Sequence, residues 1–374
     1  MPKLLKKLEE QDLHYQIALT LLYGIGPRKA GHLISKLGGI EPIFKEKLTT
    51  LHKESGFNKE ILKKMNRTEA LLEAEKQVAY ISKHKINTHF YLNSNYPRRL
   101  KQCYDAPILL YSKGNFDPNP QKTVAVVGTR NATEYGKTIC EELISSFQHQ
   151  NIQVISGMAY GIDICAHSQS VRHGISTIGV LGHGLDRIYP NTHSRIAEQM
   201  TEHGGLLTEF LPGTLPDREN FPMRNRIVAG MSDATIVIES KVSGGSLITA
   251  ELAIDYNRDV FAYPGNVGQQ YSAGCNKLLQ QNKAQLIQSG DDFLKHMCWD
   301  EQNPNKISQP KLFVELEDEE RILIDVMASS PQHIDVLSTM LKQPVSKMSV
   351  LLLQMELKGL IKSLPGNKYS PLVQ

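Results

Sequence analysis

Between residues 121 and 295, short unbroken apolar runs alternate with helix-length segments, and this alternation limits the fold more than any other feature of the chain. Val124-Ala125-Val126-Val127, Gln153-Val154-Ile155, Thr177-Ile178-Gly179-Val180-Leu181 and Leu206-Leu207-Thr208-Glu209 read as strands. Ala234 to Ile238, Val260 to Tyr263 and Gln285-Leu286-Ile287 continue the series. Tyr135 to Gln150, Ile162 to His173 and Leu247 to Asn257 read as helices between them. A strand that is apolar on both faces must be covered on both, which predicts an α/β fold with a Rossmann-like parallel sheet. Most strands run out into small residues: Gly128-Thr129-Arg130, Ser156-Gly157, Gly182-His183-Gly184 and Ser243-Gly244-Gly245-Ser246. Ligands of such sheets lie off the carboxyl ends of the strands, near the point where strand order reverses. Gly128, Thr129, Arg130, Ser156, Gly157, Gly182 and Ser243 to Ser246 are therefore expected on one surface.

The chemistry expected there is anion binding. The Ser243–Ser246 loop opens a helix, and a helix N-terminus offers unpaired N–H groups and partial positive charge to a phosphate. Upstream, Arg218, Arg224, Asn225 and Arg226 cluster around Phe221, and Arg130 stands at a strand end. Arginine supplies forked donors to phosphate, and Phe221 or Tyr160 offers a ring on which a base can stack. The bland alternative is that these arginines are internal salt bridges and that Asn225 and Arg226 only brace the following helix. The glycine-serine loops beside them favour the anion site. Lys+Arg 42 against Asp+Glu 39 leaves a net charge of only +3, so any basic site has to be a local patch.

Other chemistries find little support. Gly136-Lys137-Thr138 resembles the end of a P-loop, but the glycine required five residues earlier falls at Asn131. Gly179 to Gly184 lacks the dinucleotide-binding spacing, and no acidic residue ends the second strand. Asp163 and His167 share a helical face, where a cap and a packed histidine are more ordinary than an acid–base pair. Five scattered cysteines make neither a zinc site nor a disulfide framework and fit a reduced compartment. The first residues turn charged too soon for a signal peptide, and no apolar run approaches a membrane span. The expectation is a cytoplasmic protein with no metal and no cofactor.

The flanks carry their own patterns. Residues 1–75 are helical, with a Gly24-Ile25-Gly26-Pro27-Arg28-Lys29 turn of helix-hairpin-helix type. That turn either brings backbone N–H groups to a DNA phosphate or is simply a tight turn before a helix-starting proline. Residues 76–120 read as a connecting extension, in which Pro107 to Tyr111 form an edge strand. The Rossmann-like domain covers 121–295, and 296–315 have linker composition. Residues 316–374 suggest a winged helix whose would-be recognition helix, Val345 to Leu357, has only Lys347 and Lys358 as cations. A protein-contact or vestigial role suits it better than DNA binding.

The motifs of the central segment, taken together, resemble one family. VVGTRNATEYGK from Val126, SGMAYGIDICAH from Ser156, GHGLDRIYP from Gly182, FPMRNRIVAG from Phe221, SGGSLITAELA from Ser243, VFAYPG from Val260 and SAGCNKLL from Ser272 occur in the order of the DNA-processing protein A family (DprA/Smf). The resemblance implies a single-stranded-DNA-binding mediator of natural transformation that protects incoming DNA and loads RecA recombinase. It implies a DNA site made by the Arg130 loop, the Arg218–Phe221 segment and the Arg224-Asn225-Arg226 cluster. It also implies a homodimer through the late Rossmann-like region, around Cys275, Leu278, Leu279 and Ile287. Tyr160 stands where much of the family has arginine, so stacking replaces charge there. The competing expectation is an enzyme. Gly244-Gly245 followed by Glu251 is similar to the loop of Rossmann-like nucleotide phosphoribohydrolases, although Leu247 and Ile248 replace that motif's Gly and Thr.

Overall fold

The protein is described from a computed structural model, which covers residues 12–300, 318–327, 330–358, 360–364 and 367–371. The chain divides into two units, Met1–Glu301 and Gln302–Gln374.

The first unit is organised on one sheet. Its strands are β1 (Asn87–Phe90), β2 (Leu109–Gly114), β3 (Lys122–Val127), β4 (Ile152–Ser156), β5 (Thr177–Val180), β6 (Gly204–Thr208), β7 (Ala234–Val237), β8 (Asp259–Ala262) and β9 (Gln285–Leu286). Their order across the sheet is β1-β2-β6-β5-β4-β3-β7-β8-β9. From β3 to β9 all pairings are parallel. The chain works outward from β3 to β6, then returns to β7 on the other side of β3, so the strand order reverses between β3 and β7. The side chains of β3 show why the run is apolar throughout. Val124 and Val126 enter one core, with Leu143, Ile144 and Phe261; Ala125 and Val127 enter the other, with Val228, Ala250 and Val260. Alternate residues of a strand point to opposite faces, and here both faces are packed with helices.

Two features differ from the sequence reading. Pro107 to Tyr111 do not form the edge of a connecting extension. Strand β2 is one place in from the edge, antiparallel to both β1 and β6. Its side chains are shared: Leu110 packs into the sheet core, while Leu109 and Tyr111 pack into the core of the N-terminal helices. The second difference is Asn220–Gly230, a helix that the sequence reading did not assign, which carries the Arg224-Asn225-Arg226 cluster. Pro222 falls in its first turn, where a missing N–H costs nothing.

The N-terminal helices include residues 12–20, Pro27–Leu37 and Arg67–His84. Gly24 takes a left-handed φ of 70° and Pro27 starts the helix after the turn. The Arg28 guanidinium lies over the Tyr104 ring at 5.3 Å and donates to the Tyr104 carbonyl at 3.0 Å. The Lys29 ammonium donates to the Gly24 carbonyl at 2.9 Å. Both cations of the turn thus already contact the protein, which agrees with the tight-turn reading.

The second unit has helices Asp318–Met327, Ile334–Met340 and Val345–Leu357. Its strands β10 (Gln332–His333), β11 (Ile361–Leu364) and β12 (Lys368–Pro371) form a small antiparallel sheet. This is a winged helix. Residues 301–315 of the expected linker lie outside the described residues. No helix among the described residues is long and apolar enough to cross a membrane.

Candidate nucleic-acid interface

A small, partly open cleft lies at the carboxyl ends of β4 and β5. Close backbone packing builds its β3 side. Gly161 has a φ of 81°, and a Cβ there would lie 2.1 Å from the Thr129 carbonyl oxygen. Only glycine lets the loop after β3 sit against the start of helix Ile162–Arg172, where the Ile162 N–H donates to that carbonyl at 3.2 Å. The loop so held presents Arg130, which is exposed. The Arg130 guanidinium stands 5.4 Å from the centre of the Phe221 ring. Phe221 is also flanked by Tyr189, with ring centres 6.3 Å apart. The first turn of helix Asn220–Gly230 brings Phe221 there, and Gly182 gives it room, since a Cβ at Gly182 would meet the ring at 3.2 Å.

Under this surface lies a buried polar layer. Arg224 is 4% exposed and donates to the Val180 carbonyl. A Cβ at Gly157 would lie 2.3 Å from the Arg224 guanidinium and 2.4 Å from the Asp163 carboxylate. Gly157 is therefore the gap into which both charges fit. Burial pushes the Asp163 carboxyl above its ordinary value, while the Arg224 charge pulls it down. Burial also disfavours the Arg224 charge, and Asp163 offsets that. His167 is held between the Thr177 hydroxyl and the Gly157 carbonyl, each at 2.7 Å, and burial pushes its imidazole down to about 4. His183 donates from Nδ1 to the Gly184 carbonyl at 2.9 Å, and its Nε2 is buried without a protein partner. Burial lowers the His183 pKa, with a smaller contribution in the same direction from Arg224.

The structure brings together some of the expected site residues and separates others. Gly128, Thr129, Arg130, Gly157, Tyr160, Phe221 and Arg224 form or support the cleft. Tyr160 is half exposed, and its hydroxyl lies 3.4 Å from the Thr192 hydroxyl. Ser156 is turned inward, its hydroxyl donating to the Val126 carbonyl at 2.6 Å. Arg226 is an internal brace. It is ion-paired with Glu209, each side chain 14% exposed, and it also donates to the Asp105 carbonyl. Arg218 is exposed in the loop before the helix. Asn225 lies near the Gly245 carbonyl at 3.5 Å.

Ser243 and Gly244 do not reach the cleft. With Glu251 and Lys277 they line a separate hollow, while Ser246 is buried and its hydroxyl donates to Ser240 at 2.8 Å. Gly245 starts the helix. Between the two places, at the reversal of strand order, stands Glu239. Its carboxylate accepts from the Thr133 N–H at 2.9 Å and from the Thr133 hydroxyl at 2.6 Å. The N-terminus of helix Glu134–Ser146 is thus already capped by the protein's own anion. The expected dimer residues need the same correction. Cys275, Leu278 and Ile287 are 1%, 3% and 0% exposed, spent in the protomer core, and Leu279 is only partly buried. The side chains of Cys275, Leu278 and Ile287 offer no surface to a partner.

Tyr189, His183 and Glu239 were not singled out from the sequence. The first two lie within the GHGLDRIYP segment, whose aromatic and imidazole are its only large polar rings. Glu239 gave a weaker signal, an acidic residue directly after an apolar strand.

Comparison with known proteins places these features. Residues 87–298 match the model of the family described as DNA recombination-mediator protein A, and residues 309–367 match the DprA winged helix domain. The DNA processing protein DprA of Streptococcus pneumoniae is 40% identical over 218 residues, covering 58% of this chain and 77% of the relative. Its Bacillus subtilis counterpart is 39% identical over 213 residues, covering 57% and 71%. The X-ray structure of the Streptococcus pneumoniae protein aligns with a TM-score of 0.64 at 33% identity, covering 75% of this chain and 97% of that one. A structure of DNA processing protein A from Helicobacter pylori, reported for its single-stranded DNA binding mode, aligns with a TM-score of 0.52 at 28% identity, covering 57% and 96%. With more than half of its length matched by the family model, the chain belongs to the DNA recombination-mediator protein A family.

Proposed function

We propose that the cleft holds single-stranded DNA and that the protein passes the strand to a RecA-type recombinase. The observation that carries this reading is the exposed Arg130 guanidinium over the Phe221 ring. One group meets a phosphate and the other a base, which is the pairing a single strand requires. The Helicobacter pylori relative's single-stranded DNA binding mode supports the choice of ligand. Arg218, exposed beside the cleft, adds charge along the strand's path. Protection of incoming DNA during transformation, and action in the cytoplasm, follow the same reading.

The protein acts by binding, with no cofactor and no bond broken. Glu251, the residue an enzyme reading needs, is exposed and paired with Lys283 at 2.7 Å, outside the cleft. Self-association uses exposed parts of the late Rossmann-like region. Strand β9 is the last in the sheet; its Leu286 is 46% exposed, and Ile254, which lines the same hollow, is 36% exposed. The winged helix serves protein contact: Val350 and Leu353 are exposed on Val345–Leu357, while Lys358 pairs with Glu320 at 2.6 Å.

The test is a competition between single- and double-stranded oligonucleotides of one sequence, followed by recombinase assembly on strands already coated with a single-strand-binding protein. Preference for the single strand and faster recombinase assembly are expected. Equal binding to both forms, or no change in assembly, contradicts the corresponding half of the proposal.

A further inference from the structure

Arg130 carries the contact to phosphate, yet no hydrogen bond or ion pair among the described residues holds its guanidinium, which lies over the Phe221 ring. Its direction is therefore set by the loop that carries it, residues 128–133. A cation on a loose loop has to be ordered when the strand arrives, and that ordering weakens binding; a loop fixed beforehand avoids the loss. One residue fastens this loop at both ends. At its start, a Cβ at Gly128 would lie 3.1 Å from the Glu239 carbonyl oxygen, so the two strand ends meet there backbone to backbone. At its end, the Glu239 carboxylate accepts from the Thr133 N–H at 2.9 Å and from the Thr133 hydroxyl at 2.6 Å. Gly136, in the first turn of the helix, leaves room for that carboxylate: a Cβ there would lie 2.6 Å from its carboxyl carbon. Glu239 is in turn fixed from both sides. The N–H of Ile238 donates to the Val127 carbonyl at 3.1 Å, and that of Ser240 donates to the Tyr271 carbonyl at 2.7 Å. Glu239 is 3% exposed, so a bound strand does not touch its carboxylate.

We propose that Glu239 is a positioning residue for DNA binding: anchored at the end of β7, it holds the loop after β3 in the shape that points Arg130 across the cleft. The proposal rests on the single-strand reading above and adds the group that aims its arginine. By charge alone, a carboxylate near a polyanion opposes binding. Charge and positioning therefore predict opposite signs. Removing the carboxylate tightens the complex if it acts only as a charge, and weakens the complex if it acts as a clamp. A helix cap with no further role changes stability and leaves affinity as it is.

The experiment measures affinity for a thymidine oligonucleotide, with its salt slope, beside thermal unfolding of the same proteins. They are wild type, Arg130→Ala, Glu239→Ala, Glu239→Gln and the double variant Arg130→Ala/Glu239→Ala. Glu239→Ala is expected to bind about threefold to tenfold more weakly, with a salt slope shallower by up to about 0.7, the share of one phosphate contact. In the Arg130→Ala background the same substitution should change affinity by less than about twofold, because the group it aims is gone. Glu239→Gln should bind within about twofold of wild type, since its amide oxygen can accept from the Thr133 N–H and its amide N–H can donate to the Thr133 hydroxyl. The positioning role is overturned if Glu239→Ala binds as tightly as wild type or more tightly. It is equally overturned if Glu239→Ala loses as much without Arg130 as with it, or if Glu239→Gln loses as much as Glu239→Ala. Should Glu239→Ala not fold, Thr133→Val removes the hydroxyl half of the clamp and takes its place: a loss that disappears without Arg130 supports the role, and wild-type binding overturns it. Arg130→Ala separates the two readings. If it binds like wild type, the single-strand reading falls and the positioning role falls with it. If it binds weakly while Glu239→Ala does not, the single-strand reading stands and the positioning role alone falls.

Discussion

Two places at the carboxyl ends of this sheet offer an anion something, and they differ in who fills them. At the reversal of strand order, between β3 and β7, the protein supplies its own anion. Glu239 caps helix Glu134–Ser146 through Thr133, and the Ser243–Ser246 loop turns its last hydroxyl onto Ser240. One step along the sheet, off β4 and β5, the buried charges are balanced below the surface by Asp163 and Arg224, and Arg130 is left exposed above them. A glycine-serine loop before a helix is therefore a weak sign of a ligand. Here the loop's last hydroxyl bonds within the chain, and the carboxylate of Glu239 occupies the start of the neighbouring helix Glu134–Ser146.

The arginines repeat the contrast, and substitutions can break it. The largest effect is expected at Arg226. Replacing it with alanine leaves Glu209 buried without its partner, and loss of one member of a buried pair costs about 3–5 kcal/mol. Burial already pushes the Glu209 carboxyl upward against the pull of Arg226. Thermal or denaturant unfolding should show that loss; a change within about 0.5 kcal/mol would make Arg226 a surface residue instead. Arg130→Ala is the converse: stability unchanged within that margin, with single-strand affinity reduced about tenfold and the salt slope shallower by about 0.7, the value for one phosphate contact.

A third prediction concerns the buried layer. His167 has an ordinary value of 6.5 and a folded value of about 4, so the unfolded chain takes up the proton first as pH falls. The imidazole's contribution is fully present above about pH 6.5 and is lost toward pH 4, by about 1.4 kcal/mol per pH unit. Asp163 and Glu209, pushed up by burial, work in the opposite sense. The informative quantity is thus the difference in slope between wild type and His167→Gln, measured by denaturant unfolding across that window. Equal slopes would mean that His167 titrates normally. The smallest effect is expected at the hollow: Glu251→Gln should leave strand binding within about twofold, and nucleoside monophosphates should yield no free base with either protein.

The layered sheet was legible because a strand covered on both faces has to be apolar at every position, as β3 is. Gly157 was legible only as a small residue after a strand; that a side chain at Gly157 or Gly161 would collide is seen only in the structure. The role of each arginine was not legible. Arg224 and Arg226 are two residues apart on one helix, yet one lies against Val180, 44 residues earlier, and the other against Glu209, 17 residues earlier. No local spacing announces such partners. The residues named for the dimer show the same limit. Apolar residues in a late helix and strand serve the core or a partner equally well on paper, and burial of Cys275, Leu278 and Ile287 assigns them to the core.

The central claim is that the strand lies on the Arg130–Phe221 side and not on the glycine-serine side. Placing a negative charge at each exposed position, Arg130→Glu and Ser243→Glu, and measuring single-strand affinity at one salt concentration tests it most directly. The account predicts that Arg130→Glu lowers affinity by about a hundredfold, from lost attraction and added repulsion, while Ser243→Glu changes it less than about threefold. A large loss with Ser243→Glu and none with Arg130→Glu would contradict it.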